Sequence, residues 1–180
     1  MQKATIKNRT TDELEKQGQE RDTILHFSLQ GALPEGHVLA LNTIFGTLSY
    51  IACEDNQPRL LMQEQFTGTE MSVVLPMLEM FPYYCPYEVM YASFFNGRVT
   101  EKIVERCRRR LQEAQEEGVW DQEMRPVRGA LSRARLKLRP FGIDVSSILA
   151  TGYILMISDM RGIGREREQE QELVVSSRMA

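Results

Sequence analysis

The chain has 180 residues, a length that fits one domain with extensions and is enough to bury a substantial core. Hydrophobic residues make up 42%, charged residues 26%, and the formal net charge is −3, which argues against a wholesale basic coat for nucleic acid. Three cysteines (Cys53, Cys85, Cys107) without CxxC spacing and two histidines (His26, His37) argue against a zinc site or a disulfide scaffold. The N-terminal residues lack the apolar stretch of a signal peptide, and no apolar run approaches bilayer-spanning length, so a cytoplasmic protein is expected.

Residues 1–23 are polar and aperiodic and are expected to be a disordered lead, with a weak helix at most over Thr11–Gln17. ILHFSL (24–29) alternates Leu25, Phe27 and Leu29 against Ile24, His26 and Ser28, the period of a half-buried strand. HVLALNTIF (37–45), TLSYIAC (47–53) and RLLMQ (59–63) continue the pattern between turn residues such as Pro34, Gly36, Gly46 and Asp55–Pro58. A small antiparallel sheet over 24–65 follows.

The period then becomes helical. Thr67 and Glu70 form a capping box ahead of a stripe of Met71, Val74, Leu75 and Leu78. Pro76 is expected to kink this helix and Pro82 to end it. A second helix opens at Pro86 and stops at Asn96–Gly97, completing 66–95. A third, 99–118, spaces Val99, Ile103, Cys107 and Leu111 four apart, with Glu105 and Arg109 placed to pair and Trp120 expected as a core plug beyond it. A fourth, 127–138, buries Val127, Leu131, Ala134 and Leu138, and β-rich runs at 143–157 flank Ser146–Gly152 as a hairpin. The tail 159–180 is charged and low in complexity.

The chemistry concentrates on the fourth helix. Residues 125–139 hold Arg125, Arg128, Arg133, Arg135, Lys137 and Arg139 and no acid, so an acidic average conceals a local charge of +6. A lone basic run is ordinarily a solvated face, but a helix of this kind followed by a hairpin suits insertion into a major groove. No nucleophile motif, dinucleotide fingerprint or phosphate loop is present, so neither an enzyme nor a cofactor is expected, and the methionines fit core filling.

These residues resemble the DNA-binding domain of OmpR/PhoB-type winged-helix response regulators. Residues 127–138 match that family's V-x-V-H-I-x-R-L-R-x-K-L helix at Val127, Arg133, Arg135, Lys137 and Leu138, and Leu131 is a conservative replacement. Gly152–Tyr153 matches the end of its hairpin, and FTGTEMSVVLPML (66–78) its L-T-x-x-E opening at Thr67 and Glu70. The resemblance covers about residues 38–157. It implies an α+β winged helix-turn-helix over 24–158, with a sheet at 24–65, a recognition helix at 126–139 and a wing at 143–157. It also implies double-stranded DNA as partner, transcriptional regulation as function, and dimers or tandem pairs on repeated half-sites.

By position, Ser132 and Arg133 would face bases or phosphates, and Arg135 would hold the DNA backbone or a carboxylate. Arg128, Lys137 and Arg139 would add phosphate contacts, with Thr151 and Tyr153 reaching the backbone from the wing. The chain departs from the family at Ala130, where the family has histidine, and at Leu149, where it has a minor-groove arginine. It also has a helical insertion over 96–125 where the family has a short loop that touches RNA polymerase, so the insertion is a candidate polymerase or protein contact. The 37 residues ahead of the resemblance are too few for the family's receiver domain, so control by phosphorylation within these residues is not expected. The competing reading from the same residues is a winged-helix adaptor that docks a protein through the fourth and inserted helices.

Overall fold

The computed structural model describes residues 23–54 and 57–158. The polar lead up to residue 22, Asp55 and Asn56 of the turn expected at 55–58, and the tail from 159 lie outside the described residues. The architecture is α+β: a four-stranded antiparallel sheet, four helices and a small sheet built on a C-terminal hairpin.

Strands β1 (Ile24–Phe27), β2 (His37–Asn42), β3 (Thr47–Glu54) and β4 (Gln57–Gln65) pair in sequence order, every neighbour antiparallel. Leu39 and Leu41 of β2 and Leu48 and Tyr50 of β3 turn inward and are buried, while Leu25 and Phe27 of β1 pack at the margin. The strand expected over 37–45 ends at Asn42. Its side-chain oxygen accepts from the backbone N–H of Ile44 and of Phe45, each at 3.0 Å, a local turn that competes with the ladder and leaves both residues exposed. Likewise β1 stops at Phe27, and Leu29, expected in the strand, is a buried residue of a 3-10 turn, Leu29–Gly31.

Helix α1 (Gly68–Met80) carries the expected capping box: Thr67 Oγ1 accepts from the Glu70 N–H and Glu70 Oε2 accepts from the Thr67 N–H at 2.9 Å. The helix runs through Pro76 to Met80. Its buried stripe is Val73, Val74, Met77 and Leu78, and the expected Met71 and Leu75 lie at its edge, partly buried. Residues Cys85–Pro86 form a two-residue strand, β5, so Pro86 is the N-cap of α2 (Tyr87–Asn96) and not its first turn. Gly97, at φ 61°, closes α2 in the left-handed region that glycine adopts without strain.

Helix α3 (Glu101–Glu116) is capped by Thr100 and buries Cys107, Leu111 and Ala114. Val99, expected in that stripe, is exposed because it precedes the Thr100 cap and lies outside the helix, and Ile103 is half-buried because strict four-residue spacing drifts off a 3.6-residue turn. Glu105 pairs with Arg108, three residues on, and not with Arg109.

Helix α4 (Trp120–Leu138) is longer than the 127–138 expected. Pro126 lies inside it at an exposed position, so the carbonyl that loses its partner faces water and the break costs little. The expected boundary between an insertion at 96–125 and a recognition helix at 126–139 therefore falls within one helix. Met124, Val127, Ala130, Leu131, Ala134 and Leu138 form its inner face, and each large member contributes about 1.5–3 kcal/mol of apolar burial.

A 3-10 turn (Arg139–Phe141) leads to β6 (Ile143–Ile148), and β7 (Gly152–Ile157) returns antiparallel to it. The turn is only Leu149–Thr151; Ser146 and Ser147, expected in it, belong to β6. The sheet order is β5-β7-β6, with Cys85 opposite Tyr153 and Pro86 opposite Gly152. A Cβ on Gly152 would lie 2.1 Å from the Cys85 carbonyl oxygen, so only glycine permits this approach. Among the described residues no helix is long and apolar enough to cross a membrane.

Candidate nucleic-acid interface

With its apolar stripe turned inward, α4 directs positions 125, 128, 132, 136 and 139 outward at three- and four-residue intervals. From Arg125 to Arg139 the ridge runs roughly 21 Å, about four turns at 1.5 Å per residue. Arg125, Ser132 and Arg139 are exposed, and neither arginine makes an ion pair among the described residues. Leu136, 61% exposed, occupies the middle of the same ridge.

The other cations are engaged within the protein. Arg128 donates to the carboxylate (3.0 Å) and the carbonyl (2.8 Å) of Asp121, about two turns upstream, with its guanidinium 5.7 Å from the Trp120 ring centroid. Arg133 is 58% exposed, and its Nε stands 3.7 Å from Glu70 Oε1, too far for a hydrogen bond. Arg135 grips Asp144 of β6 with two nitrogens, and this pair holds the Asp144 carboxyl down to about 2. The carboxylate that the resemblance implied for Arg135 is thus one of the chain's own.

Lys137 is the most enclosed cation of the set. Its Nζ donates to Glu70 Oε2 at 2.7 Å and to the Gln65 carbonyl at 2.8 Å, and it sits 5.5 Å from the Phe66 ring centroid. Glu70 is 2% exposed, and burial works against its ionisation. The Lys137 ammonium and the Thr67 backbone N–H together outweigh that cost and hold its pKa below the ordinary range. One carboxylate thereby caps α1, ties α4 to it and stands near Arg133.

The hairpin supplies hydroxyls and apolar atoms. Ser146 and Ser147 are exposed, and Leu149 at the tip is 92% exposed. Thr151 donates from Oγ1 to the Leu149 carbonyl at 3.0 Å. Tyr153 is 8% exposed; its ring meets Tyr87 edge-on at 5.3 Å and burial pushes its hydroxyl pKa up. The hydroxyl expected to reach a phosphate is therefore attached to a core ring. Trp120, expected as a core plug, is half-buried and packs edge-on to Tyr87 at 5.2 Å.

Sequence reasoning placed the basic helix but not its partners. Glu70 was legible only as a cap, because nothing local links it to Lys137 in another helix. Asp144 and Asp121 carried no signal beyond being acids near arginines. Ala130, noted above as a departure from the resemblance, is fully buried, so that position serves the core. No protein-family model matches the chain, and neither a curated protein nor a solved structure matches it.

Proposed function

We propose that the chain binds double-stranded DNA as a winged helix-turn-helix of OmpR/PhoB type and acts as a transcriptional regulator. In this reading α4 enters the major groove and the β6–β7 hairpin lies as a wing along the flanking backbone. The observation that carries it is the outer face of α4, where Arg125, Arg128, Ser132, Arg133 and Arg139 line a ridge with no acid between 125 and 139. A ridge of this length spans the width of a major groove, and arginine forks suit both phosphate oxygens and the guanine edge.

The internal pairs sharpen the roles. Arg125, Arg128, Arg133 and Arg139 take the DNA, with Arg128 exchanging an exposed carboxylate for a phosphate. Lys137 and Arg135 hold the helix at its angle on α1 and β6. The wing adds hydroxyls from Ser146, Ser147 and Thr151 and no cation, so its share of the binding is weak and insensitive to salt.

Binding to random-sequence duplex at several salt concentrations tests this. Four phosphate contacts give a log–log slope of about −3.5. Arg133→Ala should reduce that slope by about one, whereas Lys137→Ala should leave it unchanged while lowering stability. Absence of binding at low salt, or a flat slope, would overturn the reading.

A protein-docking role for the same face is favoured by one observation. Leu136 on the ridge and Leu149 on the hairpin tip are both largely exposed and apolar. Partner binding through them would resist salt and be lost in Leu136→Asp.

A further inference from the structure

Helix α3 packs its Cys107, Leu111 and Ala114 side against the body of the protein and is held there by two ion pairs, Arg108 to Glu88 of α2 and Arg110 to Glu123 of α4. Its opposite side is a stripe of Lys102, Glu105, Arg106, Arg109, Glu113 and Glu116, all exposed, in which Arg108 engages and neutralises Glu105. The stripe is basic in its first two-thirds and acidic in its last turn.

Two features set this stripe apart from an ordinary solvated face. It opposes the helix dipole, because the last turn holds Glu113 and Glu116 and no cation. It is also unsatisfied within its own helix. Arg109 and Glu113 are four apart in the less favourable order, cation first, and no ion pair joins them among the described residues. Arg106 donates to the neutral Asn96 side chain at 3.0 Å and makes no ion pair among the described residues.

A stripe that is basic at one end and acidic at the other is complementary to itself when reversed. We infer that α3 is a self-association surface, on which a second copy of this chain lays its own α3 antiparallel across a twofold axis near Leu111. In that register Arg109 meets Glu113 of the second copy and Arg106 meets its Glu116, and the symmetry repeats both pairs. A contact made of exposed ion pairs is weak and strongly salt-dependent. The inference does not rest on the DNA reading, and the sedimentation measurements that decide it contain no DNA.

Sedimentation velocity of the full chain at about 100 µM should show dimer in roughly 50 mM salt and monomer in about 1 M, where the screening length falls to roughly 3 Å. The double reversals R106E/R109E and E113R/E116R should each sediment as monomer in low salt. Mixed in equal amounts, they should restore dimer, because acids at 106, 109, 113 and 116 of one copy then face arginines at the same four positions of the other. If either double reversal loses its circular-dichroism signal, R109E mixed with E113R repeats the test. A wild-type chain that stays monomeric in low salt overturns the inference, as does a dimer that survives both reversals or a mixture that stays monomeric. Monomeric wild type together with weaker duplex binding in R106E/R109E would assign the stripe to DNA, and in an acidic protein's favour the same variant would lose that partner alone.

Discussion

Helices α3 and α4 are both rich in arginine, yet they set charge against their axes in opposite senses. In α4, Asp121 and Glu123 lie in the first turn and Arg135 and Lys137 in the last, as the dipole favours. In α3 the last turn is acidic. The two also differ in where their cations find partners. Those of α4 reach two acids across the fold, Glu70 on α1 and Asp144 on β6, and one in their own first turn, Asp121, so that three carboxylates stand within 4 Å of four of the six basic groups. Those of α3 divide between two anchoring pairs and an outer stripe left to solvent. A count of basic residues therefore measures two separate quantities, cations that hold a helix in place and cations available to a ligand.

The largest effect should come from removing the anchor of α4. Glu70→Ala deletes the α1 cap and strips Lys137 of its carboxylate, and should cost about 3 kcal/mol in urea unfolding. The figure sits at the low end for a broken buried pair because Lys137 retains access to water. Removing Asp144 as Asn, at a pair that solvent screens on both sides, should cost far less. If the two losses are equal, burial is not what separates these anchors.

Acid should separate the anchors next. Asp144 and Glu70 both have folded-state pKa values below their unfolded ones, so each stabilises the fold above the ordinary carboxylate range and loses that contribution as pH falls through its folded value. For Asp144 the window runs from about 4 in the unfolded chain to about 2 in the folded one. Unfolding free energy measured from pH 5 downward should fall across that window, and Asp144→Asn should flatten its lower part.

The smallest effect belongs to α3. Glu116→Lys places a cation in the last turn, three residues after Glu113, and should raise stability by about 0.5 kcal/mol in dilute protein. A loss there would mean that the acidic turn of α3 already has a stabilising partner within the chain.

What local sequence could reveal divides along physical lines. Period-2 alternation at 24–29 and the turn residues between the runs that follow marked a sheet of three or four strands, the Thr67–Glu70 box opened α1, and the Val127–Leu131–Ala134–Leu138 stripe oriented α4 correctly. Each is a short-range pattern that burial imposes directly. Strand β5 escaped because two residues have no period, and the early start of α4 escaped because Pro126 mimics a helix opening. The Lys137–Glu70 and Arg135–Asp144 pairs join different elements, so no spacing along the chain marks them. They decide which cations of the candidate interface are free, which is why the interface was visible as a basic helix but not as a specific set of contacts.

Strand β7 has one more consequence. It is the last element of the described fold, yet it is the middle strand of its sheet, with β5 on one side and β6 on the other. During synthesis, β5 and β6 must wait without a shared partner until Gly152–Ile157 has been made, and only then can the segment ahead of α2 be fastened to the hairpin. The sheet is completed in one late event that joins distant parts of the chain. Any truncation ahead of Gly152 leaves unpaired the sides of β5 and β6 that β7 covers in the full chain, and such edges are templates for pairing with other molecules.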